Sequence, residues 1–140
     1  MIWIILIAAI VCGMAFIRLA PSEVARWHKP IGNADSTDGE GWAARVVPAE
    51  PGLFSDLHLA MLKLPRTELL AGSVGEGRLT YITRSRIMGF PDYTTIEQTD
   101  TNIQLYGRLR FGRSDLGVNG KRLDGLIERV RTKRSEAARQ

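Results

Sequence analysis

The sequence predicts an α+β protein: an N-terminal transmembrane helix, then a four- to five-stranded antiparallel sheet packed on one face by two helices. Three observations predict it. Residues Ile2 to Ile17 carry no charge. Four runs between Thr67 and Phe111 read as strands, and in the two longest apolar and polar residues alternate at the period of a half-buried strand. Stretches with helical spacing stand on either side of those runs. Strands joined by short turns pair antiparallel, and both helices then cover the apolar face.

The apolar segment comes first. Its sixteen residues span about 24 Å as a helix, against a hydrocarbon core of about 30 Å. Leu19 and Ala20 extend it, and Arg18 can snorkel. A cleaved signal peptide usually begins with Lys or Arg, and here only the amino terminus supplies positive charge, so residues 1–19 read as an uncleaved anchor. Arg18, Arg26 and Lys29 follow it, and the positive-inside rule then favours a cytoplasmic domain.

Residues 20–52 read as a Pro/Gly-rich linker. They contain Pro21, Pro30, Pro48 and Pro51, and "NADSTDGEG" is turn chemistry. "GWAARVV" has room for a short strand. The folded domain is expected over 53–132. Its first helix covers about 55–64, capped by Ser55 or Asp56 with Phe54 as a staple, and Pro65 stops it. "TELLAGSV" is the first strand of the main sheet. The run from Arg78 to Met88 is the second, with Leu79, Tyr81 and Ile87 on one face and Ile82, Arg84 and Arg86 on the other. "YTTIEQT" is the third. In the fourth, Ile103, Leu105, Leu109 and Phe111 face the core, while Gln104, Tyr106, Arg108 and Arg110 face away. Gly107 marks a bulge or a close approach. A last helix runs from an Asn119 cap to about Thr132, with Leu123, Leu126, Ile127 and Val130 as its apolar stripe. Residues 133–140 form a basic tail.

The chain has 140 residues and a net charge of +4, unevenly spread. Residues 31–56 set five acids against Arg45 alone, whereas residues 107–140 hold ten Lys/Arg against four acids. A basic half suits an acidic partner. Cys12 is the single cysteine, which excludes an internal disulfide and a multi-cysteine metal cage.

Catalytic chemistry finds little support. The histidines are His28 and His58, too few for a zinc site. His28, in "RWHKP", suits a membrane interface, and His58 a structural place on the first helix. "GSVGEGR" lacks the Lys-Ser/Thr ending of a phosphate loop and leads into a strand. Asp92 and Asp115 read as turn and cap residues. No cofactor is expected.

The arginines remain. Arg84, Arg86, Arg108 and Arg110 fall on the sheet face away from the helices, with Tyr106 among them and Arg113 nearby. Arginine forks bind carboxylate and phosphate bidentately, so these six residues form the expected interaction face. As exposed charges, Arg86 and Arg108 changed together to Gln should alter stability by about 1 kcal/mol or less.

From Pro65 onward the chain resembles a bacterial family known as domain of unknown function 1499. The resemblance rests on "LAGSVGEGRLTYITRSRIMGFPDYTTIE" and "GRLRFGRSDLGVNGKRLDGLI", with "RLAPSEVARWH" adding to it. It implies a small α+β domain behind a signal sequence or anchor and facing the periplasm, with no known activity. On this basis the expected place is the bacterial inner membrane, single-pass, with a periplasmic domain. The expected function is a non-catalytic accessory protein docking on a larger membrane complex or an anionic lipid surface, without nucleic acid. The alternative is a small-ligand or lipid carrier of helix-grip type.

Overall fold

The computed structural model describes residues 1–140. Helix α1 is Ile2–Leu19 and the short helix α2 is Val24–Trp27. Strands β1 (Thr37–Gly39) and β2 (Trp42–Pro48) precede helix α3 (Leu53–Leu62). Strands β3 (Thr67–Ser73), β4 (Arg78–Arg84), β5 (Pro91–Gln98) and β6 (Asn102–Leu109) follow, and helix α4 (Val118–Ala137) closes the chain. All six strands join one antiparallel sheet in the order β1-β2-β6-β5-β4-β3.

The sheet is wider than the four or five strands expected. "GWAARVV" pairs along its length with β6, and part of the Gly/Asp-rich stretch pairs back on it as β1. Turn-forming residues conceal that hairpin, because Gly41 supplies the positive φ its turn requires. Strand β4 stops at Arg84, so Arg86 and Ile87 belong to the turn that follows. Helix α4 continues through the expected tail to Ala137.

Two helix starts also differ from expectation. Helix α3 begins at Leu53 after Gly52, and Phe54 lies in the core rather than outside the cap. Helix α4 begins at Val118, and Asp115 takes the capping role, accepting the N–H groups of Gly117 and Asn119. Asn119 is instead buried against Gly107, where a Cβ would approach its Oδ1 to 2.8 Å. Gly107 is thus a point of close helix–strand approach.

The core lies between the sheet and helices α3 and α4. Leu57, Met61, Leu79, Ile96, Leu105, Leu123 and Leu126 meet there, each no more than 1% exposed. Ion pairs fasten α4 at its edges. Arg45 on β2 bonds both oxygens of Asp124 and also reaches Asp38, and Arg122 meets Asp92 on β5.

The opposite face carries the second, smaller cluster. Residues 20–36, expected as linker, form a strap across it. Trp27 stacks on Tyr93 with ring centroids 3.7 Å apart and packs against Ile82. From there the strap runs down the sheet: His28 Nδ1 meets Thr80 Oγ1 at 2.9 Å, Ile31 N–H donates to Glu97, and Ala34 N–H donates to Gln104. His28 therefore belongs to the strap's seat on the sheet.

Helix α1 projects from this domain with no residue buried. It has the length and composition to cross a membrane, features that a signal sequence near an N-terminus shares.

Candidate functional site

Strand register defines what lies beneath the strap. Directly opposed residues share a face, so Trp42, Arg108, Tyr93 and Ile82 form one row across the sheet. The next row on that face contains Ala44, Tyr106, Thr95 and Thr80. Two of the expected arginines, Arg84 and Arg108, are strand residues of this face, and Arg110 follows β6 directly. Arg86 and Arg113 are exposed in the flanking turns, and Tyr106 is half-buried.

The three arginines nearest the sheet do not all point into water. Arg108 donates to the carbonyl oxygens of Trp27 and Tyr106 and to Thr95 Oγ1. Arg110 donates to the carbonyls of Ala20 and Pro21 and to the Tyr93 hydroxyl. Arg84 donates to the carbonyl of Gly89. These guanidiniums hold the strap and a turn in place, a role that alternation alone cannot reveal because the strap's route is not a periodic signal.

Burial lowers the Arg108 pKa below the ordinary arginine value, and the nearby tyrosine hydroxyls oppose the shift. Arg108 also lies 4.9 Å from the Tyr106 ring centroid and 5.5 Å from that of Trp27. Because Arg108 only donates, Thr95 accepts from it, and the hydrogen-bonded chain continues through Thr80 to His28.

Two surfaces result. The first is a cleft of about 600 Å³ between the strap and strands β1, β2 and β6. Trp27, Trp42, Tyr106 and Arg108 contribute to its walls, with Arg26 and Lys29 beside them. Trp42 lies so closely over Gly39 that a Cβ there would overlap its ring.

The second surface is the end of the sheet where α1 arrives. Arg18 donates to the carbonyls of Ile87 and Met88, and Phe16 meets Phe111 edge-on at 6.3 Å. An open cleft of about 500 Å³ beside this joint is lined by Arg18, Arg66 and Arg84 with Glu68 and no hydrophobic residue. The adjoining turns expose Ile87 and Leu116, which are 77% and 85% accessible.

The histidines and acids serve other contacts. His58 Nδ1 bonds the buried Tyr81 hydroxyl at 2.8 Å. Burial pushes the Tyr81 hydroxyl pKa upward. Burial likewise raises Asp92, despite Arg122 beside it. No three His, Cys, Asp or Glu side chains are grouped so as to hold a metal ion.

A family model described as "Protein of unknown function (DUF1499)" matches residues 33–130. The match takes in the sheet and most of both packed helices, and starts near the end of the strap. No curated protein matches the chain.

Proposed function

The chain belongs to the DUF1499 family of proteins of unknown function, and with no activity attached to that family we propose a function from its geometry. The protein is a non-catalytic, single-pass membrane protein whose domain sits on an anionic lipid surface. There it serves as an accessory module, with a periplasmic setting as the sequence resemblance implies. The observation that carries this reading is the joint between Arg18 and the Ile87–Met88 carbonyls. With α1 in the bilayer, that joint brings the 85–89 turn to the membrane interface. Exposed Ile87 would enter the head-group region, and Arg66, Arg84 and Arg86 would meet lipid phosphates.

The helix-grip alternative draws less support from the packing. It needs a cavity between the sheet and the last helix, and Leu123, Leu126 and Val130 fill that interface, none more than 4% exposed.

Spin labels test the seating. Cys12→Ser removes the native thiol, and single cysteines at positions 87, 116 and 100 each receive a label. The chain is placed in nanodiscs with or without phosphatidylglycerol. Labels at 87 and 116 should show lipid-like oxygen accessibility, stronger with anionic lipid, while the label at 100, in the turn at the far end of β5, should remain aqueous. An aqueous signal at 87 in both lipids would sink the reading.

A further inference from the structure

We infer that the cleft beneath the strap is a binding site for a small aromatic carboxylate, held by Arg108 through its charge and by Trp27, Trp42 and Tyr106 through their rings. The first argument is a charge without a partner. Arg45, Arg78, Arg122 and Arg134 are all at least two-thirds buried at the side chain, and each meets a carboxylate. Arg84 and Arg110 bond carbonyls, but they stand at the α1 end of the domain. Arg108 is buried deeply enough for its pKa to fall, yet its three acceptors are all neutral. A cation removed from water without a counter-ion is costly, and an anion entering the cleft offsets that cost. These bonds use Nη1 and Nη2, so Nε–H remains free to donate.

The second argument is independent of charge. The Trp27 indole N–H is buried with no acceptor, on a ring that lines the same cleft. A ligand oxygen would satisfy it once a small shift of the ring opens the N–H to the cleft. The third argument is shape. The volume of about 600 Å³ falls in the range of small-molecule sites. Trp42 and Tyr106 have ring centroids 6.0 Å apart at a tilt of 59°, offering faces and edges to a flat molecule. Arg26 and Lys29 outnumber Asp35 around the opening, so the local field favours an anion.

Calorimetry on the full chain in phosphatidylcholine nanodiscs tests this, with empty nanodiscs subtracted. The probes are naphthalene-2-carboxylate, the neutral 2-naphthylmethanol and inorganic phosphate. The carboxylate should bind saturably at one site per chain, and the alcohol should bind at least about ten-fold more weakly. Phosphate should compete poorly. Arg108→Gln should weaken the carboxylate about ten-fold or more, and Arg108→Lys, which keeps the charge but loses the fork, by less. Because Arg108 also holds the strap, Asn33→Trp provides a second variant: it crowds the cleft from an exposed position and should abolish binding with the fold intact. Equal affinity for acid and alcohol overturns the charge argument, and equal competition by phosphate overturns the aromatic one. Absence of saturable binding, or undiminished binding by Asn33→Trp, overturns the site. Zwitterionic lipid keeps this result separate from the seating on anionic lipid.

Discussion

On the face covered by α3 and α4, the sheet meets a continuous apolar layer of fourteen buried residues. On the face covered by the strap, only Trp27, Ile82 and Tyr93 form a buried apolar cluster, and the strap is otherwise tied by hydrogen bonds: Arg108 and Arg110 donate to its carbonyls, Glu97 and Gln104 accept from its N–H groups, and Thr80 meets His28. Apolar burial is non-directional and scales with area, so it fills space. Hydrogen bonds fix a few points and leave room between them. The difference explains why the larger cleft lies under the strap and why folding stability should rest mainly on the helix side.

The sharpest test compares one residue from each face. Leu126→Ala removes a buried side chain from the helix layer and should cost about 3 kcal/mol, read from the unfolding midpoint. Trp27→Ala should cost less, about 2 kcal/mol, despite removing more atoms, because the strap can come away from an otherwise folded sheet. Hydrogen exchange should accelerate at the Ile31 and Ala34 amides and little at Leu105. If Trp27→Ala unfolds the sheet as a whole, the two faces form one cooperative unit and the comparison fails.

Arg108→Gln comes next, at about 1–2 kcal/mol, since it leaves the Trp27 carbonyl and Thr95 hydroxyl short of a donor. This revises the smaller effect that exposed arginines imply. The alternation of "NIQLYGRLRF" correctly places Ile103 and Leu105 in the core. Leu109 and Phe111, expected there too, are only half-buried outside it, with Phe111 beyond the end of β6 against Phe16. Only tertiary structure tells whether the second face meets water. The strap sets Trp27, His28 and Ile31 among Pro21, Pro30, Gly32 and short polar residues, so its local signal is that of a loop. Its seat depends on contacts between residues 52 to 90 positions apart, such as His28–Thr80 and Ala20–Arg110, and no window of sequence contains them. The helix-side layer was legible because each element carries its own periodic stripe. The cleft was not, although Trp27, Trp42 and Tyr106 were visible individually.

Acid should act on the two faces differently, with a smaller effect. Burial tends to raise the Glu97 pKa, but Arg78 and the Ile31 N–H outweigh it and hold it below the ordinary value. The stability Glu97 contributes is therefore present above the usual carboxylate range and lost as pH falls through it. On the helix face the signs oppose. Hydrogen bonding from Arg45 lowers Asp124 and the cap bonds lower Asp115 against its burial, whereas burial raises Asp92, whose contribution grows as pH falls and partly offsets theirs. The strap should loosen before the helix layer as pH drops through about 5 to 3. Glu97→Gln, which keeps an acceptor for Ile31, should flatten the pH dependence of exchange at Ile31. An equal slope at the helix-face amides would count against this distinction.

The smallest effect on stability is expected outside both faces, at Arg86. It is exposed in the turn after β4 and its side chain makes no hydrogen bond or ion pair, whereas Arg84 two residues earlier is tied to Gly89. Arg86→Gln should leave the unfolding midpoint unchanged. The proposed seating gives it another task. Next to exposed Ile87, its charge would hold the turn against lipid phosphates, a contact weakened by salt and absent from a zwitterionic surface. A spin label at position 87 should therefore become more water-accessible in Arg86→Gln when phosphatidylglycerol is present, with wild-type behaviour in phosphatidylcholine alone. Raising ionic strength should move the wild-type signal in the same direction. The result separates two kinds of arginine that alternation grouped together: Arg108, whose loss is felt in folding, and Arg86, whose loss is felt only where the domain meets the membrane. If both variants lower the midpoint equally and neither alters the label, the arginines act as structural ties throughout and the α1 end has no special affinity for anionic lipid.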